Sequence, residues 1–95
     1  MAELWLTVLD PAGLHARPAA QVVRTAGRFQ SRITIRVGDR TADVKSLIAV
    51  LGLTIRPGAE ITISADGPDD SAALVALLGE LGTAIQPSHN GAEHP

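Results

Sequence analysis

The chain has 95 residues, 45% of them hydrophobic and 19% charged, with a net charge of −2 and no cysteine. A chain this short forms one domain with a modest core, so there is little room for a separate catalytic domain or an enclosed cofactor cavity, and function is expected on the surface. Without cysteine there are no disulfides, thiolate metal sites or cysteine nucleophiles.

Met1-Ala2-Glu3-Leu4-Trp5 carries an acid where a signal peptide carries basic residues, and no apolar run approaches the roughly 18 residues needed to span a bilayer. A soluble cytoplasmic protein without stable membrane association is expected. Leu4, Leu6 and Val8 alternate with Trp5, Thr7 and Leu9, the period of a half-buried strand, which Asp10-Pro11-Ala12-Gly13 ends as a turn. From Ala16 to Ala26 the residues Ala19, Val22, Val23 and Ala26 fall on one helical face, with Gly27 as its stop. Ile33, Ile35 and Val37 predict a second strand. Gly38-Asp39 turns it into a third, Arg40 to Val44, as a hairpin.

Ser46 is placed to cap a short apolar helix, Leu47 to Leu51, that Gly52 ends. After the turn Arg56-Pro57-Gly58-Ala59, Ile61, Ile63 and Ala65 mark a fourth strand. Asp69 and Asp70 suit a helix start, Leu74, Leu77, Leu78 and Leu81 form its apolar stripe, and Gly82 closes it. The domain is thus expected over residues 1–84, with 85–95 as a disordered polar tail. The order β-α-β-β-α-β-α suits an α+β open-faced sandwich, an antiparallel sheet with helices on one face. Trp5 and Phe29 are the only aromatics, so the core is aliphatic.

All eight basic residues lie between Arg17 and Arg56, a stretch whose only acids are Asp39 and Asp43; it carries about +6, and the rest of the chain is acidic. If the fold gathers these residues on one side, that side suits an acidic partner.

Local structure and reactive side chains coincide in Gly13-Leu14-His15-Ala16-Arg17-Pro18-Ala19-Ala20. His15 lies where a glycine-containing loop meets a helix, whose first turn offers unpaired N–H groups and a positive dipole end to an anion. Pro18 has no N–H to lose there and fixes the helix start. An imidazole of reference pKa about 6.5 is largely neutral and nucleophilic at cellular pH, and its nitrogen can carry a labile phosphoryl group. Arg17 presents a planar fork of donors to phosphate oxygens. On physical grounds alone, a histidine beside a helix start is more often a cap or a surface residue than a nucleophile.

The eight-residue segment resembles the active-site signature of the HPr family, the histidine-containing phosphocarriers of the phosphoenolpyruvate-dependent sugar phosphotransferase system (PTS). Lys45-Ser46-Leu47-Ile48 resembles the family's second signature, Gly52-Leu53 and Gly58 its turn, and Ile61 to Ala65 with Gly67 its last strand, so the likeness spans residues 3–83. It implies a four-stranded antiparallel sheet with three helices on one face. It also implies that His15 accepts a phosphoryl group on Nδ1 from phosphorylated enzyme I and passes it to IIA domains of sugar permeases, with Arg17 assisting. The role is that of a bacterial carrier, not a turnover enzyme, with no cofactor.

The serine matching Ser46 is phosphorylated by HPr kinase/phosphorylase in many Gram-positive members, which creates a regulatory complex with a transcription regulator. Ser46 also reads as an ordinary helix cap, and Ala49 departs from the small-glycine pattern of kinase-regulated members. Ala16, Ala20, Leu47, Ile48 and Leu51 match an apolar docking patch, with Arg17, Arg24, Lys45 and Arg28 as a basic rim. Two other readings stand beside the sugar carrier. One is an HPr-like regulatory module acting through docking and Ser46; the other is a carrier serving nitrogen regulation or dihydroxyacetone phosphorylation. A nucleic-acid partner is disfavoured by the scarcity of aromatics. A metal site at His89, Glu93 and His94 is disfavoured by the lack of a rigid surround. A docking carrier is expected to be a monomer.

Overall fold

A computed structural model describes residues 1–87. The strands are β1 (Ala2–Val8), β2 (Arg32–Val37), β3 (Arg40–Asp43), β4 (Glu60–Asp66) and β5 (Ile85–Pro87); the helices are α1 (Ala16–Ala26), α2 (Leu47–Gly52) and α3 (Asp70–Leu81). A single 3₁₀ turn, Gly82–Ala84, joins α3 to β5. The strands form one antiparallel sheet in the order β3-β2-β4-β1-β5. Consecutive strands β2 and β3 pair as the expected hairpin. The others interleave through crossovers, which carry the helices onto one face.

Alternation along each strand decides which face is covered. Leu6, Val8, Ile33, Ile35, Ile61, Ile63 and Ala65 point into the core. Trp5, Arg32, Arg36, Thr41 and Asp43 belong to the opposite, solvated set. Register aligns the two sets across the sheet: Trp5 pairs with Thr62, Thr62 with Arg36, and Arg36 with Thr41. On the helical side, Ala19, Val22 and Ala26 of α1 and Ala73, Leu74, Leu77 and Leu81 of α3 close the core. Ala19, Ala26 and Ala73 are fully buried, and their small size lets the helix backbones sit close to the isoleucines beneath. The result is the α+β open-faced sandwich expected from the order of elements.

Three details differ from the sequence reading. A fifth strand follows the last helix, so the ordered domain runs past residue 84: Leu6, Thr7 and Val8 pair with Pro87, Gln86 and Ile85. Three residues are too few to show a period, which is why Ile85 reads as the start of a tail. Residues 88–95, the rest of that expected tail and the setting of His89, Glu93 and His94, lie outside the described residues.

Second, the basic segment does not stay on one side. Arg17 and Arg24 are exposed on α1, whereas Arg32 and Arg36 point to the open sheet face because β2 alternates. Third, Asp69 precedes α3 but makes no side-chain cap. Its carboxylate instead accepts the Gln30 N–H and the Ser31 N–H, each at 2.9 Å, and the Ser31 hydroxyl. It therefore ties the connection between α1 and β2 to the start of α3.

Candidate functional site

The segment that carries His15 is held from two sides by carbonyls distant in sequence. At its entry, Leu9 N–H and Asp10 N–H both donate to the Ala84 carbonyl, at 2.7 and 3.2 Å. At its exit, Leu14 N–H donates to the Ile55 carbonyl at 3.0 Å. Between them Asp10 closes a turn on itself: its carbonyl accepts Gly13 N–H and its Oδ1 accepts Ala12 N–H, both at 2.8 Å. Gly13 takes φ +70°, and a Cβ there would meet the Ile55 carbonyl oxygen at 2.3 Å. Only glycine fits this approach without displacing the neighbouring loop.

His15 follows as the N-cap of α1, with extended backbone (φ −89°, ψ −171°) and no side-chain capping bond. The imidazole is exposed, so it neither caps the helix nor belongs to the core. The first helical hydrogen bond runs from Ala19 N–H to His15 O at 3.0 Å. The N–H groups of Ala16 and Arg17 come before it, and the helix offers them no acceptor; Pro18, also in this turn, has no N–H. Two backbone donors and the positive end of an eleven-residue helix thus lie beside the exposed imidazole. Arg17 is exposed on the same turn and forms no ion pair among the described residues. The arrangement suits a tetrahedral dianion attached to the ring: backbone N–H groups on one side, a guanidinium within reach, and open access for a partner.

Ser46 caps α2 as expected, its hydroxyl accepting Ala49 N–H at 3.3 Å. It lies at the far end of the helical layer from His15. Lys45 Nζ donates to the Phe29 carbonyl, just beyond the end of α1, at 2.7 Å, whereas the chain leaving α2 reaches the His15 loop through Ile55. The two helices therefore run in opposite directions, with His15 at the start of α1 and Ser46 toward the end of α1 that Lys45 reaches. An open groove of about 640 Å³ lies at the Ser46 end, lined by residues that include Gln30, Asp43, Lys45 and Asp66, and it contains no part of the His15 segment.

The candidate docking residues lie on α1 and α2, which pack against each other. Ile48 is 84% exposed and Leu51 37%, an unusual display for large aliphatics, while Leu47 and Ala20 are half-buried and Ala16 is exposed. Val50, between them, is buried in the core, which settles which side of α2 faces out. Arg24 and Arg28 are exposed; Lys45 is exposed but already holds the Phe29 carbonyl. Sequence reasoning missed Arg56, whose backbone adjoins Gly13. Nothing in its own turn sequence signals that proximity, which the fold alone creates. Among the described residues no group of histidine, aspartate and glutamate is placed to hold a metal ion, and no helix is long and apolar enough to cross a membrane.

Comparison with known proteins shows which family the chain resembles. The family model described as the PTS HPr component phosphorylation site matches residues 3–81. A phosphocarrier protein HPr from Lysinibacillus sphaericus is 42% identical over 81 residues, covering 82% of this chain and 92% of its own. A 71-residue stretch is 48% identical to part of a multiphosphoryl transfer protein from Xanthomonas campestris, covering 75% of this chain and 8% of that much longer one. Among solved structures, a mycoplasma histidine-containing phosphocarrier superposes with a TM-score of 0.83 at 38% identity, covering 84% of this chain and 91% of its own. With most of its length matched by the family model and by relatives of similar size, the chain belongs to the HPr family, the phosphocarriers of the phosphotransferase system.

Proposed function

We propose that His15 is the residue that carries the phosphoryl group, accepting it from phosphorylated enzyme I and passing it to IIA domains of sugar permeases. The observation that supports this reading is the placement of the imidazole: exposed, free of any capping bond, and beside the unpaired N–H groups of the first turn of α1. In the neutral tautomer with Nε2 protonated, the Nδ1 lone pair attacks phosphorus. The N–P bond forms as the donor's bond to phosphorus breaks, and that electron pair returns to the donor. No proton need leave the ring. Arg17 and the N–H groups of Ala16 and Arg17 stabilise the equatorial oxygens during transfer in each direction.

Ile48, Leu47, Leu51, Ala16 and Ala20 form the apolar centre of the docking face, and Arg17, Arg24 and Lys45 its basic edge. Ser46 lies on this face at a distance from the chemistry. A phosphate there acts on docking by adding negative charge opposite acidic partners, without touching His15. The protein works as a monomeric cytoplasmic carrier that is restored only by handing on its phosphoryl group, so it performs no turnover alone.

Incubation with phosphoenolpyruvate and enzyme I, followed by intact mass measurement, tests this reading. Wild type gains one acid-labile phosphoryl group and His15→Ala gains none. Equal uptake by His15→Ala would move the chemistry to another residue.

A further inference from the structure

We infer that Arg56 is a docking contact that speeds association with the phosphoryl-donating partner, meeting a carboxylate on that partner's surface at the rim of the His15 site. The inference rests on the carrier reading and adds to it a residue that lies outside both signature segments. Three observations carry it.

The first is position. A Cβ placed on Gly13 would lie 3.1 Å from the Arg56 Cα, so the two backbones touch. His15 is two residues beyond Gly13, at most about 7 Å along the chain, which puts the Arg56 and His15 Cα atoms within about 12 Å. Both side chains are exposed. The second is rigidity. The turn that bears Arg56 is fixed by Leu14 N–H to Ile55 O at 3.0 Å, Gly58 N–H to Val8 O at 2.8 Å and Ala59 N–H to Arg56 O at 3.1 Å. Pro57 restricts it further. A charge on such a turn is held in place with little backbone entropy left to lose on docking.

The third is availability. Arg40 donates to the Gly52 carbonyl at 2.8 Å, so that cation already serves the fold. The Arg56 guanidinium has no hydrogen-bond or ion-pair partner among the described residues. An arginine fork beside a phosphoryl-transfer site, with no internal acceptor, is complementary to an anionic oxygen supplied from outside. At this separation from His15, behind the nearer Arg17, that oxygen belongs to a partner carboxylate. A charge in this place acts mainly on the rate of association.

The test measures the second-order rate of phosphoryl uptake from phosphorylated enzyme I by wild type, Arg56→Gln and Arg36→Gln. Arg36 is exposed on the open sheet face and supplies the same charge change away from the site. At low ionic strength Arg56→Gln is expected to be slower than wild type by about 3- to 10-fold, the deficit closing toward twofold at high salt as screening sets in, with Arg36→Gln within about twofold throughout. Equal rates for the two variants overturn the inference. A deficit in Arg56→Gln that is independent of salt, accompanied by faster hydrolysis of the phosphohistidine, assigns Arg56 to the phosphoryl group and overturns the assignment to a partner. If wild type takes up no phosphoryl group, the carrier reading fails first and this inference falls with it.

Discussion

Replacing Gly13 with alanine tests the link between the His15 segment and the loop that follows α2. The new Cβ would sit 2.3 Å from the Ile55 carbonyl oxygen, where ordinary contact begins at 3.4 Å. One backbone must therefore retreat by about 1 Å, and no side-chain rotation can relieve the clash. That retreat opposes the 3.0 Å bond from Leu14 N–H to the same oxygen. Leu14 is buried, at 8% exposure, so losing the bond costs about 1 kcal/mol or more. The φ of +70° adds about 1–2 kcal/mol for a residue with a Cβ, and the lower entropy of unfolded alanine offsets about 0.4–1 kcal/mol. The net loss is about 1–2.5 kcal/mol, which in a domain of this size lowers Tm by about 5–20 °C. Thermal unfolding followed by circular dichroism measures it directly. A Gly13→Ala protein melting within about 3 °C of wild type would refute the contact between the two loops.

Two further substitutions probe the rest of the frame. Gly79 lies within α3, is exposed, and has nothing within 4 Å of the point where an alanine methyl would lie, so Gly79→Ala gains helix propensity of about 0.8 kcal/mol and raises Tm by several degrees; an unchanged or lower Tm contradicts the open surroundings of that face. For Asp69, the Ser31 hydroxyl first and the Gln30 N–H next hold the carboxyl below its ordinary value. The carboxylate therefore contributes stability that is complete above the unfolded pKa of about 3.9 and is lost as pH falls through the lower folded value. Asp69→Asn should melt below wild type at neutral pH, and the gap should shrink as pH falls below about 4. A gap constant with pH would remove ionisation from the account.

Most of the architecture is legible in the sequence because alternation and helical spacing repeat often enough to be unambiguous. Ile33, Ile35, Ile61 and Ile63 fix two strands and their buried face, and Leu74, Leu77 and Leu81 fix the inner stripe of α3. Ser46 announces the start of α2 through its own chemistry, and its hydroxyl does accept the Ala49 N–H. What escapes is non-local. Asp69 looks like a helix cap, yet the chain brings Ser31 and Gln30 to it from 38 and 39 residues away. Ile85 is recruited into the sheet by the free edge of β1, a pairing that no three-residue pattern can advertise. The site divides in the same way. His15, Arg17 and Pro18 are adjacent in sequence and read together, whereas Arg56 reaches the site only because the Ile55 and Leu14 backbones meet.

The phosphoryl group, on this mechanism, is seated on His15 against the first turn of α1. The most direct measurement is an amide and imidazole nitrogen NMR spectrum of the protein before and after phosphorylation by enzyme I and phosphoenolpyruvate. Phosphorus coupling is expected at the Nδ1 resonance of His15, with the largest amide proton shifts at Ala16 and Arg17, the two donors that precede the first helical bond. Phosphorus coupled to any other residue, or undisturbed amides at Ala16 and Arg17, would contradict it.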